Sequence, residues 1–262
     1  MTFVLFEYEK KAMLKNKSKP LLVIKLVLFF ISLLNAQIDV NGLYTAGKGL
    51  TYHGQHYSTI VLGNGQEWMA ENLRTTQYND GTMITEVSDP EKWAVNYNTG
   101  AALPMMCWYD NERDSFTANK FGALYNWYAI SPGNNGNKNV CPDGWHVPTD
   151  EEWTVLINFL DPEADGGNNM NRAGAKMKTE GTQYWRSPNT AASNSSGFSG
   201  LPGGSRGHLG SYIFIENDGR WWSSTEDGSG YAWYRYLGYD QSSVNRYSNN
   251  KMSGFSVRCV RD

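Results

Sequence analysis

Trp221-Trp222-Ser223-Ser224-Thr225 and Gly254-Phe255-Ser256-Val257-Arg258-Cys259-Val260 are strand-like, and they bracket residues 231–247, a run dense in Tyr, Trp, Arg, Asn and Ser. Side chains alternate between faces along an extended chain. Trp233, Arg235 and Leu237 therefore share one face, Ala232, Tyr234 and Tyr236 the other, and Phe255, Val257 and Cys259 point inward together. Trp221 and Trp233 read as core fillers. Beyond them the alternation stops. Tyr236, Tyr239, Asp240, Gln241, Ser242, Ser243, Asn245, Arg246 and Tyr247 follow one another without an apolar period, so they cannot all point inward. Rigid amphipathic rings beside small hydrogen-bonding groups make adaptable contact surfaces. These residues are the candidate ligand-binding set.

Working outward, Thr149-Asp150-Glu151-Glu152 after Pro148 fits a helix capping box, followed by Trp153, Leu156, Ile157 and Leu160 on one helical face. The helix ends at Asp161-Pro162. Leu124, Trp127 and Tyr128 at i, i+3, i+4 predict a second, shorter helix within residues 121–130. Residues 57–62, Gly63-Asn64-Gly65 and residues 66–73 read as a hairpin with Trp68 on the core face. Strand-like pieces recur near Tyr184-Trp185, residues 197–201 and residues 211–215, and Asn217-Asp218-Gly219 reads as a turn into Arg220. No repeat or low-complexity tract interrupts this pattern. The expectation is one α+β domain over residues 58–262, preceded by a lead-in at 37–57.

The N-terminus reads as a signal peptide over residues 1–36: Lys15, Lys17 and Lys19, an apolar run at 21–34, and a small residue, Ala36, before the cut. Met13 is an alternative start that would leave residues 1–12 untranslated. The apolar run is interrupted by Lys25 and falls short of the roughly 20 residues that cross a bilayer. The expected product is therefore exported, with no membrane span after cleavage. A net charge of −3 gives no reason to expect nucleic acid as a partner. Aromatic residues at 14%, with 27 glycines, point to a loop-rich fold anchored by large side chains.

Export permits disulfides. Of Cys107, Cys141 and Cys259, at most two can pair within the chain. A Cys141–Cys259 bridge would close a loop of about 118 residues and stabilise by on the order of 4–5 kcal/mol. Three free, buried thiols are the competing reading. Cys107, between Met106 and Trp108, has an apolar setting.

Six motifs then resemble one family. They are Gly65-Gln66-Glu67-Trp68-Met69-Ala70-Glu71-Asn72-Leu73, Gly122-Ala123-Leu124-Tyr125-Asn126-Trp127-Tyr128, the stretch from Cys141-Pro142-Asp143-Gly144-Trp145-His146 to Trp153, Gly197-Phe198-Ser199-Gly200-Leu201-Pro202-Gly203-Gly204, and the two opening segments. In this order they are similar to the Fibrobacter succinogenes major paralogous domain, from about Thr59 to the C-terminus. The resemblance implies a C-type-lectin-like fold: two helices flanking small, twisted antiparallel sheets with long loops. It also implies kinship with formylglycine-generating enzymes and with lectin-like receptors that contact ligand through this part of the chain. Members occur on exported and surface proteins; the lipid-anchor Cys of many of them is missing after the apolar run here.

The chemistry of catalysis is thin. Formylglycine-generating enzymes hold copper with two late cysteines, whereas only Cys259 stands in the last region here. The sugar-binding calcium loops of C-type lectins are missing. Asp161, Glu163, Asp165 and Gly166 resemble the start of a calcium loop, but its twelfth position is Arg172 instead of a bidentate Glu. His53, His56, His146 and His208 suggest no zinc set, and His146 reads as a hydrogen-bonded structural residue. Ser205 lacks the spacing of a nucleophile elbow. Glu151 and Glu152 are accounted for by the helix dipole and the capping box. The expectation is an exported, non-catalytic recognition module, without cofactor or metal, whose partner is a glycan or a protein. Alternatives are a structural, adhesin or envelope-assembly component and, remotely, a formylglycine-generating-type oxidase.

Overall fold

Trp221 and Trp222 are neighbours on one strand, so their indoles leave the backbone on opposite sides, and both are fully buried. The Trp221 indole N–H donates to Asn72 Oδ1 at 2.8 Å and that of Trp222 to the Tyr125 carbonyl at 2.9 Å. Their strand partitions the core into one cluster around Trp222, Tyr234 and Phe255 and another around Trp221, Trp153 and Leu237. The computed structural model describes residues 43–164 and 170–262, all within the compact unit Asp39–Asp262. The expected signal peptide at 1–36 lies outside the described residues.

The described residues begin with β1 (Tyr44–Ala46), β2 (Leu50–Tyr52) and β3 (Gln55–Tyr57). Next come β4 (Thr59–Leu62) and β5 (Glu67–Met69), the expected hairpin, with Trp68 fully buried. An irregular middle follows: β6 (Thr85–Glu86), α1 (Pro90–Trp93), α2 (Val95–Thr99), β7 (Met105–Cys107), α3 (Arg113–Ala118) and β8 (Leu124–Tyr125). Then come α4 (Trp127–Ile130), α5 (Pro132–Asn135), β9 (Trp145–His146), α6 (Asp150–Leu160) and α7 (Ala173–Met177). The chain closes with β10 (Ser205–Arg206), β11 (Tyr212–Ile213), β12 (Asp218–Glu226), β13 (Tyr231–Gly238), β14 (Val244–Asn250) and β15 (Val260–Arg261). One antiparallel sheet, ordered β1-β4-β5-β15-β9, joins the first strands to the last; β12-β13-β14 form a second. The architecture is α+β with small sheets, mostly antiparallel, although β6 and β7 pair in parallel.

Three expectations need correction. Residues 44–57 are more than a lead-in, because Tyr44 to Ala46 pair with Leu62 to Ile60 while Tyr52 and Tyr57 enter the core. Glycines concealed this segment's period; at Gly47 a Cβ would stand 2.0 Å from Thr59 Oγ1. The helix expected within 121–130 is a strand, Leu124–Tyr125, followed by a four-residue helix. Buried Asn126 makes the break, accepting from the Met105 and Ala129 amides at 3.0 and 3.1 Å. Among the described residues there are seven α-helices rather than two, six short ones and α6 of 11 residues. Finally, Tyr184-Trp185 and residues 197–201 are irregular loops held by side chains, such as Trp185 Nε1 on the Gly200 carbonyl at 3.1 Å.

The capping box of α6 forms as read, Thr149 and Glu152 bonding reciprocally. Glu152 Oε1 also meets His146 Nε2 at 2.8 Å, and His146 Nδ1 meets Asp262 at 2.5 Å, so His146 is the hydrogen-bonded structural residue expected. Cys141 and Cys259 are joined, with Cα atoms 6.0 Å apart, and Cys107 is free and buried. Phe255, Val257 and Cys259 do face the core, although regular strand pairing is confined to Val260–Arg261.

Buried cations hold the loops. Arg258 donates to the carbonyls of Phe198 and Ser199 and to Asn72; Arg206 donates to those of Val87, Ser88 and Gly210. Irregular buried backbone leaves carbonyls without ladder partners, and a guanidinium can satisfy several at once.

Candidate functional site

Residues directly opposite in an antiparallel pair share a face, so the register of β12, β13 and β14 sorts the candidate set. Asp218, Arg220 and Trp222 oppose Gly238, Tyr236 and Tyr234, which in turn meet Asn245 and Tyr247 on β14. Trp221, Arg235 and Arg246 stand together on the other face.

Arg246 is thereby turned away from the candidate surface. Its Nε lies 2.9 Å from Asp150 Oδ2, and its guanidinium stacks 3.4 Å from the centroid of the half-buried Trp233 ring. Tyr239 also packs inward, against the cluster around Trp221, with the Arg186 guanidinium 5.4 Å from its ring. Ser243 and Asn245 are buried. Ser243 Oγ and Asn245 Nδ2 donate to Gln241 Oε1 at 3.3 and 3.2 Å, so these two orient Gln241 from below. Ser242 is half-buried, and its carbonyl accepts from the Ala175 amide at 2.8 Å.

What converges is a smaller group. A Cβ added at Gly238 would stand 2.7 Å from Tyr236 Oη, 2.8 Å from Gln241 Nε2 and 3.1 Å from Asp240 Oδ1. Three members of the candidate set thus bring their polar ends to one spot, which only glycine leaves open. Asp218 lies beside it, hydrogen-bonded to the Tyr236 hydroxyl and paired with Arg220 Nη2 at 2.8 Å. Burial pushes the Asp218 carboxyl above its ordinary range against the pull of Arg220. Burial likewise raises Tyr236, and the Asp218 carboxylate adds to the effect, so its hydroxyl keeps its proton and remains a donor. Aromatic faces border the group. Tyr247 is 41% exposed with its ring 6.3 Å from that of Tyr236, and Phe214 is 45% exposed under the Arg220 guanidinium at 4.7 Å. Phe214 holds a φ of 67°, a strained value for a bulky residue.

The turn carrying this group is fixed from beneath by Lys178, which is fully buried and donates to the carbonyls of Gly238, Gln241 and Thr190 at 3.0, 2.8 and 3.1 Å. Sequence reasoning missed Lys178, Asp218, Arg220, Phe214 and Gly238. Asn217-Asp218-Gly219 had the composition of a turn, but residues 215–217 make the turn and Asp218 opens β12. Nothing local marks the other four.

Elsewhere, Asp161 accepts from the Glu163 and Arg172 amides at 3.3 and 2.6 Å, a local turn; Asp165 and Gly166 of the calcium-like run lie outside the described residues. His53 bonds Thr75 Oγ1 at 2.7 Å and His208 packs on Tyr97, far apart in the chain. Among the described residues, no three His, Cys, Asp or Glu are placed to hold a metal ion, and no helix is long and apolar enough to cross a membrane.

Fold and site together define a loop-rich α+β domain, closed by a disulfide and bearing an aromatic, polar face on its C-terminal sheet. Over residues 61–261 the chain matches the Fibrobacter succinogenes major domain, and it belongs to that family. No curated protein and no solved structure matches the chain.

Proposed function

We propose that this protein is an exported, non-catalytic recognition module with a C-type-lectin-like fold, binding a glycan or a hydroxyl-rich protein surface through the face around Gly238. The observation that carries the reading is the meeting of Tyr236 Oη, Asp240 Oδ1 and Gln241 Nε2 over Gly238, beside Tyr247 and Phe214. A phenol, a carboxylate and an oriented amide supply donors and acceptors at fixed angles, and the adjoining rings supply stacking area. The small sheets and long loops are of the kind the lectin-like kinship implies. Support for export comes from the Cys141–Cys259 bridge, since disulfides persist in oxidising compartments. The same bridge counts against a formylglycine-generating-type oxidase, because it ties up Cys259, the one late cysteine, while Cys107 is buried.

A glycan array compares the wild type with a Tyr236→Phe, Asp240→Asn, Tyr247→Ala triple variant and with Arg246→Ala. The expected result is glycan binding lost in the triple variant and kept in Arg246→Ala. Binding that survives the triple change overturns the site. Absence of binding to every glycan, with no protein captured either, favours the structural or envelope-assembly reading.

A further inference from the structure

A cleft of about 250 Å3 opens where the segments containing Ser58, Glu71, Lys120, Thr179, Tyr184 and Ser199 meet, and none of its lining belongs to the Gly238 face. Two lining residues, Lys120 and Ser199, hold left-handed backbone with φ of 62° and 54° although neither is glycine. Such strain persists only where the surroundings enforce it, and it concentrates at functional sites. Its charge is unbalanced. The Glu71 carboxylate is held by Lys120 Nζ at 2.9 Å, Arg74 Nη1 at 2.7 Å and the Ser58 amide at 3.1 Å, and buried Arg258 lies within electrostatic reach. Two cations therefore bond one carboxylate, with the charge of Arg258 behind them. Arg74 and Arg258 are buried, whereas the Lys120 side chain is 55% exposed, and an ammonium has three donors. Excess positive charge thus reaches solvent at Lys120.

The remaining walls suit a hydroxylated ring. Thr179 and Ser199 already donate their hydroxyl protons to the carbonyls of Gly200 and Gly197, at 3.3 and 3.2 Å, and accept from Trp185 Nε1 and Asn194 Nδ2 at 3.1 and 3.0 Å, so each keeps one lone pair for a ligand's hydroxyl. The Tyr184 ring is steadied edge-on by Phe121 at 5.6 Å and provides a stacking surface. The volume lies below the roughly 300–1,000 Å3 of clefts that take drug-sized ligands, which limits the occupant to about one ring. We propose that this cleft is a second binding site, specific for a single acidic sugar ring whose carboxylate pairs with Lys120 and whose face lies on Tyr184.

The test uses D-glucuronate, D-glucose and inorganic sulfate as probes, titrated by calorimetry into the full mature chain and its variants. Glucuronate should saturate, Lys120→Met should weaken it about tenfold, and Lys120→Arg should restore most of that loss. Tyr184→Ala should weaken it severalfold, and Gly238→Ala should leave it unchanged. Lys120 is exposed enough that its replacement leaves the fold intact, which a melting curve checks. Three results overturn the proposal: no saturation by glucuronate, equal binding of glucose or sulfate, or an affinity indifferent to Lys120→Met. A loss in Gly238→Ala equal to that in Lys120→Met also overturns it, by assigning the binding to the C-terminal sheet face.

Discussion

Arg246 and Asp150 are bonded across 96 residues of sequence, Nε to Oδ2 at 2.9 Å, and the same carboxylate accepts from Arg235 Nη1 at 2.5 Å. Asp150 is the first residue of α6, where the helix dipole favours a negative charge. One carboxylate thereby clamps the helix start to two strands. Arg235 is fully buried, so Asp150→Ala strands a guanidinium in the core and should cost about 3–5 kcal/mol. The Arg246 side chain is 30% exposed, and Arg246→Ala should cost about 1 kcal/mol. Denaturant unfolding measures both, and equal costs would contradict the clamp.

Two glycines separate packing from recognition. At Gly174 a Cβ would stand 2.4 Å from the Ser243 carbonyl oxygen, which is backbone and cannot swing aside. Gly174→Ala should therefore destabilise by about 1–3 kcal/mol. At Gly238 the obstructing atoms are the ends of Tyr236, Gln241 and Asp240 side chains, which can rotate. Gly238→Ala should cost under about 1 kcal/mol while displacing the three groups of the proposed site. The expected pattern is a near-normal melt with ligand binding lost; a cooperative melt with binding intact would remove Gly238 from the site.

Reduction should be the most damaging single treatment. The Cys141–Cys259 bridge closes a loop of 118 residues, for which chain entropy gives on the order of 4–5 kcal/mol. A paired Cys141→Ser, Cys259→Ser variant should lose a comparable amount of stability and become insensitive to dithiothreitol, with residual unfolding followed by circular dichroism. Cys107→Ala should leave the wild type's reductant sensitivity unchanged.

Titration should loosen the fold from both ends of the pH scale. Donation of its ring N–H groups to Glu152, then Asp262, raises His146 from 6.5 to about 9 against the opposing effect of burial. Its stabilisation is complete below the unfolded pKa and is lost as pH rises from 6.5 through 9. Glu71 behaves oppositely: burial would raise it, but Lys120, Arg74 and the Ser58 amide hold it down at about 2. Its contribution is present above the unfolded value of 4.5 and is lost as pH falls through about 2. Stability against pH should fall less steeply between 6.5 and 9 in His146→Gln than in the wild type. Superimposable slopes would remove His146 from the linkage.

The candidate run illustrates how far a site can be read from a linear chain. Composition placed Tyr236, Asp240 and Gln241, whose polar ends meet at Gly238, in one set with Arg246, Ser243 and Asn245, whose side chains are bonded internally. In the sequence all of these are alike, polar and adjacent. Burial of a polar residue depends on whether a partner arrives from elsewhere, and for Arg246 that partner is Asp150. Phe214 escaped notice for the converse reason: an apolar residue in a strand-like stretch has no local mark of a surface role.

Several features whose governing interaction spans a few residues were set by the chain's own order. The Thr149–Glu152 capping box, the hairpin around Gly65 with Trp68 turned inward, the alternation along β13 and the inward set Phe255, Val257 and Cys259 all follow from periodicity and local hydrogen bonding. Tertiary structure alone decided which charged groups the core would accept. Arg258 reaches Phe198 and Ser199, Lys178 reaches Gly238 and Gln241, and Arg235 reaches Asp150, each across 59 residues or more. A buried cation is tolerated only where several acceptors converge, and only the folded chain places those acceptors together.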